Sequence, residues 1–446
     1  MHDIEPGLFE ALKGEISLEE VFLAYFECRR NKRKTINALQ FELNYEENLI
    51  QLWRDINSRA YKVGRSIAFV VNKPVIREIF AADFRDRVVH HLIIRKLLPL
   101  FEKAFSPHSY SCRHGKGTLF GVNEVYKYIQ KCSENYTADC YVLKLDIQAF
   151  FININHNILY QMLERFILQN YQKEDQGLLL FLVRKVVFNA PQNNCIKKGK
   201  KAYWKILPKK KSLFRSKVGF GLPIGNLTSQ IFANFYLNDF DSFVERYNPQ
   251  IYYGRYVDDF VLIHKNPKVL EEVKPIIAEY LNEKNKLLLH PKKVYLQHYA
   301  HGLPFVGCYL MPGRIYAGTR LKTNFYQKIY GYKQIFLYNQ KPDARQLLKT
   351  GAVLNSYFGF LKHINAFYLR KKCWEKLAPE LREYFKCVRP YHKMYIKGEY
   401  TPKAGKLREM RSELAHFLKK VERRAEEIKR PKKKYPKKRR LFLKSI

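Results

Sequence analysis

The chain has 446 residues and carries 81 Lys and Arg against 41 Asp and Glu, a formal net charge of +40. At about 150 residues per domain, this length allows two or three domains. Such an excess of positive charge predicts a polyanionic partner. Hydrophobic residues make up 46% of the chain and aromatic residues 15%, which excludes a mostly disordered basic protein. Nucleic acid is favoured over an anionic membrane surface, because the charge is not confined to a basic amphipathic helix.

Cysteine usage and the start of the chain indicate the compartment. Eight cysteines are spread through the sequence without a CxxC pair, so neither a zinc site nor a disulfide framework is predicted. The start MHDIEPGLFE lacks the pattern of a signal peptide, and the best apolar run, residues 178–183, is too short to span a bilayer. We expect a cytoplasmic protein with no membrane partner.

The predicted elements begin with two amphipathic helices in the first 60 residues. A β-rich stretch follows at 66–80, and Asp83 is a predicted N-cap for the next helix. Three β-like runs then lie far apart along the chain, and helical patterns separate the first two. These runs cover residues 141–147, 251–263 and 303–310. Helices interleaved with a few strands predict an α+β fold.

Two segments differ from the rest in charge. Residues 191–217 contain ten Lys or Arg and no acid, which predicts an inserted loop or hairpin that faces nucleic acid. A solvated loop explains any single lysine in it equally well.

Residues 316–395 have helical spacing throughout. Residues 401–446 carry 18 basic and 5 acidic residues, which predicts a charged helix followed by a tail that only a partner orders.

Two adjacent acids, Asp258 and Asp259, interrupt an apolar β-like run. Neighbouring side chains on a strand point to opposite faces, so both carboxylates can serve one site only at a tight hairpin bend. Asp146 ends another apolar run, and it can meet Asp258 if the two strands lie side by side. Such oxygen ligands suit Mg²⁺, and two such ions support nucleotidyl transfer. The alternative is that the pair merely forms a turn, as Asp often does.

A glycine-rich turn, GLPIGNLTSQ at 221–230, leads into a helical pattern. A loop that opens a helix presents N–H groups to phosphate, although a lone turn of this kind is more often a structural bend. The ordered set KLDIQAFF, GLPIGNLTSQIFANFYL, YVDDF, LHPKKVYL and LPFVG resembles the successive palm motifs of a reverse transcriptase. Within the group II intron-like superfamily, IGNLTSQ and KPVIREIFAADFRDRVVHH resemble the reverse transcriptases of bacterial and phage diversity-generating retroelements.

The resemblance implies a right-hand polymerase, bacterial or phage-encoded, with a small antiparallel sheet in its palm. The implied domains are an N-terminal helical extension at 1–60, fingers at 61–140, a palm at 141–315 that contains the basic insertion 191–217, a helical thumb at 316–400, and a basic C-terminal helix and tail at 401–446. It also implies two Mg²⁺ ions, replaceable by Mn²⁺, on Asp146, Asp258 and Asp259.

The same resemblance implies roles for individual residues. Catalysis is implied for the three aspartates and for Lys293, which matches the lysine that protonates pyrophosphate; Lys292 is an equal candidate on chemistry alone. Nucleotide contacts are implied for Arg77, Arg85, Arg113, Phe151, Ile224 and Gly225, and template or primer contacts for Gln230, Phe305, Val306 and Gly307. Phe151 matches an aromatic gate against the ribose 2′-OH, although a core Phe fits equally well. For each arginine, an ion pair is the competing explanation.

Ile224 stands where many relatives have a glutamine that contacts the incoming nucleotide. An aliphatic side chain offers no hydrogen bond there, and we therefore expect error-prone copying at template adenines. The implied function is an RNA-directed DNA polymerase that copies a structured template RNA into cDNA from dNTPs, with a small accessory protein as partner. The alternatives are a retron-like or phage-defence reverse transcriptase with a dedicated non-coding RNA, and a maturase-like RNA-binding protein.

Overall fold

The structure, a computed structural model, describes residues 15–30, 35–72, 75–338, 342–375 and 379–400. The predicted basic helix and tail at 401–446 lie outside these ranges. The chain divides into two compact units, Met1–Lys322 and Thr323–Ile446. Within the described ranges, no helix combines the length and the apolarity that crossing a bilayer requires.

The first unit contains ten strands in its described part. In chain order they are β1 (Ser66–Val71), β2 (Arg77–Ala81), β3 (Tyr141–Asp146), β4 (Cys195–Lys197), β5 (Tyr252–Tyr256), β6 (Asp259–His264), β7 (Tyr295–His298), β8 (Leu303–Phe305), β9 (Cys308–Met311) and β10 (Arg314–Ala317). They form three sheets with the orders β2-β1-β4, β5-β6-β3-β7 and β10-β9-β8. All pairings are antiparallel except that of β1 with β4.

Helices lie between groups of these strands, so the predicted α+β fold is confirmed. They are α1 (Leu18–Arg29), α2 (Ile36–Glu42), α3 (Tyr45–Asn57), α4 (Phe84–Ala104), α5 (Thr118–Cys132), α6 (Phe150–Asn153), α7 (His156–Asn170), α8 (Gln176–Val187), α9 (Lys201–Ile206), α10 (Leu227–Tyr236), α11 (Asn238–Tyr247) and α12 (Pro267–Asn285). The Asp83 side chain accepts a hydrogen bond from the backbone N–H of Arg85, which confirms the predicted cap of α4.

The N-terminal region holds three helices in its described part, where the sequence predicted two. The apolar spacing continues across the break between α2 and α3, so periodicity does not reveal it. Asn44 has φ −134° and ψ 51° there, which ends the helical backbone. The ring of Tyr25 stacks on Tyr45 with centroids 5.3 Å apart, and Phe41 contacts Phe84 of α4 at 5.1 Å. These helices therefore cover α4.

The basic insertion contributes a strand to the first sheet. The sequence predicted a loop or hairpin, whereas β4 pairs in parallel with β1, with Ser66 opposite Cys195. The carboxylate of Glu78 on β2, buried at 3% exposure, accepts from Ser212 Oγ at 2.8 Å and from Leu213 N at 2.6 Å. The insertion is thus attached to β1 by its backbone and to β2 by this side chain.

One large apolar core supports the four-stranded sheet. Leu143 and Leu145 of β3 and Phe260 and Leu262 of β6 are buried within it. The helices contribute further buried residues, among them Leu97 of α4, Leu163 of α7, Leu182 of α8, Phe232 of α10, Phe240 of α11 and Ile277 of α12. Because side chains alternate along a strand, the polar residues of β3 emerge on the face opposite this core.

The second unit is helical with one small hairpin. Its described elements are α13 (Thr319–Tyr338, which starts in the first unit), α14 (Ala344–Leu361), α15 (Phe367–Glu375), α16 (Leu381–Tyr384), β11 (Phe385–Val388) and β12 (Lys393–Ile396). A capping box between Asp343 and Gln346 begins α14. The prediction of helix throughout 316–395 is wrong at its end, because strands of four residues are too short to show a clear alternation.

Candidate active site

The Asp258-Asp259 pair lies at a tight hairpin. Tyr256 of β5 is paired with Asp259 of β6, so Val257 and Asp258 form a two-residue turn. Val257 has φ +60°, a left-handed conformation that is rare for a β-branched residue. Because of this bend, Asp258 leaves the strand alternation and both carboxylates can face one site.

Asp146 lies beside this hairpin. Strand β3 is antiparallel to β6, and Asp146 is directly opposite Asp259, a pairing in which the Cα atoms are about 4.5–5.5 Å apart. The N–H of Ile147 donates to the carbonyl oxygen of Asp258 at 3.1 Å. Burial raises the pKa of the Asp258 carboxyl, and the negative charge of Asp146 raises this pKa further. The structure therefore brings the three carboxylates together.

Two lysines pair with the outer carboxylates. Lys293 Nζ lies 2.8 Å from Asp146 Oδ2, and Lys144 Nζ lies 3.1 Å from Asp259 Oδ2. Burial raises the pKa of Asp259 to about 6, against the opposing attraction of Lys144. Lys144 was not predicted as a site residue, although the alternation K-L-D places it on the same strand face as Asp146. Charge at an i, i+2 spacing on a strand is the signal that could have found it.

The donor chemistry of this cluster fits a divalent cation. Carboxylate oxygens are the ligands that Mg²⁺ prefers, and Asp259 Oδ1 is buried without a hydrogen-bond partner in the described part of the chain. The carboxylates of Asp146 and Asp258 repel each other, and a bound cation would offset this repulsion. As the side chains stand, the described residues contain no group of three or more His, Cys, Asp and Glu arranged as metal ligands. Asp146 and Asp259 would have to exchange their lysine partners for the ion.

The glycine-rich turn is held against β2. The N–H of Phe80 donates to the carbonyl of Ile224 at 2.8 Å, and the N–H of Ala82 donates to Asn226 Oδ1 at 3.3 Å. Gly225 has φ +124°, and a Cβ there would lie 2.9 Å from the carbonyl oxygen of Phe80 and 2.9 Å from Ile79 Cγ2. Only glycine permits this approach of two backbones.

The three predicted arginines have different surroundings. Arg77 is exposed at the start of β2, and its charge opposes the rise that burial causes in the pKa of Asp258. Arg85 forms an ion pair with Asp55 of α3 and lies over the ring of Tyr61, 5.2 Å from its centroid. Only Arg77 is thus placed near the carboxylates by its interactions.

The guanidinium of Arg113 is engaged within the fold. Its side chain is 5% exposed, pairs with Glu102 at 2.8 Å and donates to the carbonyls of Ser106 and Ser109. These contacts favour the competing ion-pair explanation, in which Arg113 fixes the loop 106–109. Its contact with nucleotide stays a prediction.

Phe151 and Gln230 remain accessible. Phe150 is buried at 2% exposure, whereas Phe151 is only partly buried against the core. The carbonyl of Phe151 accepts from Leu222 N at 2.7 Å, beside the glycine-rich turn. Gln230 is exposed on α10, and its Oε1 accepts from Cys112 Sγ at 3.5 Å. This placement of Phe151 is compatible with a gate and less so with a purely internal role.

The remaining predicted residues form the hairpin of β8 and β9. Phe305 is buried and paired with Cys308, and the turn residues Val306 and Gly307 have φ +43° and +84°. The carbonyl of Pro304 accepts a hydrogen bond from Lys144 Nζ at 2.8 Å. One ammonium group therefore joins this hairpin to the Asp259 carboxylate.

The chain is similar to several known proteins. Protein YkfC of Escherichia coli (strain K12) is 24% identical over 264 residues, which cover 52% of this chain and 62% of that protein. Similar solved structures include a telomerase from Candida albicans in complex with a fragment of telomeric RNA (13% identity, TM-score 0.43, 68% of this chain and 56% of that one). An apo telomerase from Candida tropicalis gives 13% identity and a TM-score of 0.43, covering 69% of this chain and 59% of that one. The chain spans less than two thirds of the length of each of these relatives.

The family model described as reverse transcriptase (RNA-dependent DNA polymerase) matches residues 72–310. This range is more than half of the chain. It contains the three aspartates, the glycine-rich turn and the turn between β8 and β9. The chain therefore belongs to the reverse transcriptase family.

Proposed function

We propose that this protein is an RNA-directed DNA polymerase that copies a structured template RNA into cDNA. The observation that carries the proposal is the strand register that sets Asp146 opposite Asp259, with Asp258 in the adjoining turn. These carboxylates come from segments more than 100 positions apart in the sequence. They meet inside the region that matches the family.

The proposed chemistry is nucleotidyl transfer by two metal ions. Asp146 and Asp258 would hold two Mg²⁺ ions, for which Mn²⁺ can substitute, with Asp259 beside them. When bound, Mg²⁺ supplies activation of the primer hydroxyl and neutralisation of the leaving pyrophosphate. Lys293, whose Nζ lies 2.8 Å from Asp146 Oδ2, would give a proton to pyrophosphate. Arg77 would bind the triphosphate, because a guanidinium suits phosphate oxygens.

We propose that a basic surface of the protein binds the phosphate backbone of RNA. The insertion 191–217 supplies ten basic residues without an acid, and its attachment to β1 and β2 makes these charges part of the folded unit. Lys197 Nζ lies 3.9 Å from the ring centroid of Phe214. A basic surface of this kind binds nucleic acid largely through phosphates.

We further propose the layout and the biological type that the sequence motifs imply. Fingers would occupy 61–140, the palm 141–315 and a thumb 316–400. The retroelement would be of the diversity-generating type, with a small accessory protein. Ile224 supports this proposal, because its carbonyl is fixed to β2 at 2.8 Å while its side chain offers no hydrogen bond to a templating base.

The polymerase proposal is tested by primer extension on an RNA template with dNTPs and Mg²⁺. We expect Asp258→Asn to lower the rate by at least about 10³-fold, roughly 4 kcal/mol of transition-state stabilisation. The matched control is Asp239→Asn, an exposed carboxylate on α11, which should leave the rate unchanged. Equal rates for the two variants would show that the cluster is not the polymerase site.

The diversification proposal is tested by the error spectrum. Ile224→Gln should reduce misincorporation opposite template adenines, and Ile224→Leu, which keeps an aliphatic side chain, should not. Sequencing of cDNA made by each purified protein measures this difference. An adenine error rate that is the same in the wild type and in Ile224→Gln would refute the assigned role of Ile224.

A further inference from the structure

A buried ionic network lies directly behind the aspartate turn. The side chains of Arg255 on β5 and Asp241 on α11 are both 0% exposed. Asp241 Oδ1 accepts from Arg255 Nε at 2.6 Å and from the hydroxyl of Tyr253 at 2.6 Å, and Asp241 Oδ2 accepts from Arg255 Nη2 at 2.5 Å. Removing one partner from such a pair leaves an uncompensated buried charge.

The same guanidinium reaches the turn itself. Arg255 Nη1 donates to the carbonyl of Val257 at 2.9 Å and to Asn234 Oδ1 at 3.0 Å. Arg255 Nη2 also donates to Ser109 Oγ at 3.2 Å. The turn is thereby connected to α10, to α11 and to the segment around Ser109, all within the first unit.

The turn needs such a constraint. A two-residue hairpin with φ +60° at its first position normally has Gly, Asn or Asp there, and this chain has Val257. A β-branched residue in the left-handed region is strained, and it persists only where the surroundings fix it. The planar fork of arginine can donate to several fixed acceptors at once, which the single ammonium of lysine cannot reproduce.

We infer that Arg255 is a positioning residue whose bond to the Val257 carbonyl fixes the turn and thereby the Asp258 carboxylate. This inference rests on the proposed function for its catalytic consequence. The structural part of the inference does not depend on the proposed function, because a movement of the Asp258 backbone can be measured directly. The N–H of Ile147 donates to the Asp258 carbonyl at 3.1 Å. A displaced turn would release that amide.

The test compares Arg255→Lys with Tyr253→Phe in the full chain. Both variants weaken the network around Asp241, but only Arg255→Lys removes the bond to the turn. In Arg255→Lys we expect hydrogen exchange of the Ile147 amide to rise by at least about tenfold, and kcat for primer extension to fall by about 10–100-fold, the usual range for a residue that orients a ligand. The KM for dNTP should change by less than about threefold, because Arg255 does not reach the substrate.

Exchange in α8 serves as the measure of global stability. It should rise less than Ile147 exchange in Arg255→Lys, and Tyr253→Phe should alter neither Ile147 exchange nor kcat by more than about twofold. If α8 exchanges faster to the same extent as Ile147, or if Tyr253→Phe reproduces the loss of activity, Arg255 acts only through general stability and the inference is overturned.

A second variant isolates the strained residue. Glycine adopts φ +60° without a penalty, so Val257→Gly should reduce the effect of Arg255→Lys on Ile147 exchange by at least about threefold. An equal effect in both backgrounds would overturn the link to Val257.

The outcomes separate this inference from the proposed function. If the wild type extends primers and Arg255→Lys does so at the same rate, the inference fails and the proposed function stands. If the wild type extends no primer while Ile147 exchange responds as expected, the proposed function fails and the role of Arg255 in fixing the turn stands.

Discussion

The close contact between the glycine-rich turn and β2 gives a quantitative prediction for Gly225→Ala. Two costs add at this position. A non-glycine residue at φ +124° costs about 1–2 kcal/mol. The new Cβ would also lie 2.9 Å from the Phe80 carbonyl oxygen, a backbone atom that cannot move without disturbing the bond from Phe80 N to Ile224 O. Overpacking of this kind costs about 1–3 kcal/mol.

Gly219→Ala is the matched control. Gly219 also has a left-handed φ, +78°, but a Cβ there would meet nothing within 4 Å in the described part of the chain. Urea unfolding should therefore give a loss of about 2–5 kcal/mol for Gly225→Ala and about 1–2 kcal/mol for Gly219→Ala. Gly225→Ala should also lower primer extension, because Ile224 must move away from β2. If the two losses of stability agree within about 0.5 kcal/mol, the close approach is not real.

Three further predictions concern buried polar groups. Burial raises the pKa of Asp86 to about 6 from 3.8, so the folded state binds the proton more tightly. The free energy of unfolding should therefore fall by up to about 3 kcal/mol as the pH rises from 3.8 to about 6. Thermal melts of Asp86→Asn at a series of pH values should lack this pH-dependent loss, and identical pH profiles for the variant and the wild type would contradict the prediction. Lys144→Met removes the attraction that opposes the raised pKa of Asp259, so in the metal-free protein the Asp259 carboxyl should titrate at higher pH in an NMR titration, and an unmoved titration would exclude this coupling. Glu78→Ala leaves the Leu213 N–H and the Ser212 hydroxyl without their acceptor and should cost about 1–3 kcal/mol in urea unfolding, whereas a cost below about 0.5 kcal/mol would mean that the insertion is held by its strand alone.

Local sequence patterns predicted the strands that carry the three aspartates. The run that ends at Asp146 and the run broken by Asp258 became β3 and the β5–β6 hairpin, because alternation and turn chemistry are encoded within a few residues. The N-cap at Asp83 was predictable for the same reason. Lys144 could have been predicted as well, since its spacing from Asp146 fixes the strand face that it shares.

Pairings between distant segments could not be read from the sequence. The partner of Arg85 is Asp55, thirty positions earlier, and no periodicity identifies which acid an arginine will meet. The parallel pairing of β4 with β1 joins segments more than 120 positions apart, and a strand of three residues has too little pattern to be recognised. The buried pair of Arg255 and Asp241 was missed because a charged residue in a strand predicts exposure until its partner is known.

The parallel strand β4 has a consequence for the behaviour of the protein in solution. Without it, residues 66–68 of β1 would present an unpaired backbone edge within the largely apolar sequence SIAFVV. Such edges recruit strands from other molecules. The insertion pairs with this edge through its own backbone and surrounds it with like charges that repel a second copy, so shortening it should promote self-association during expression.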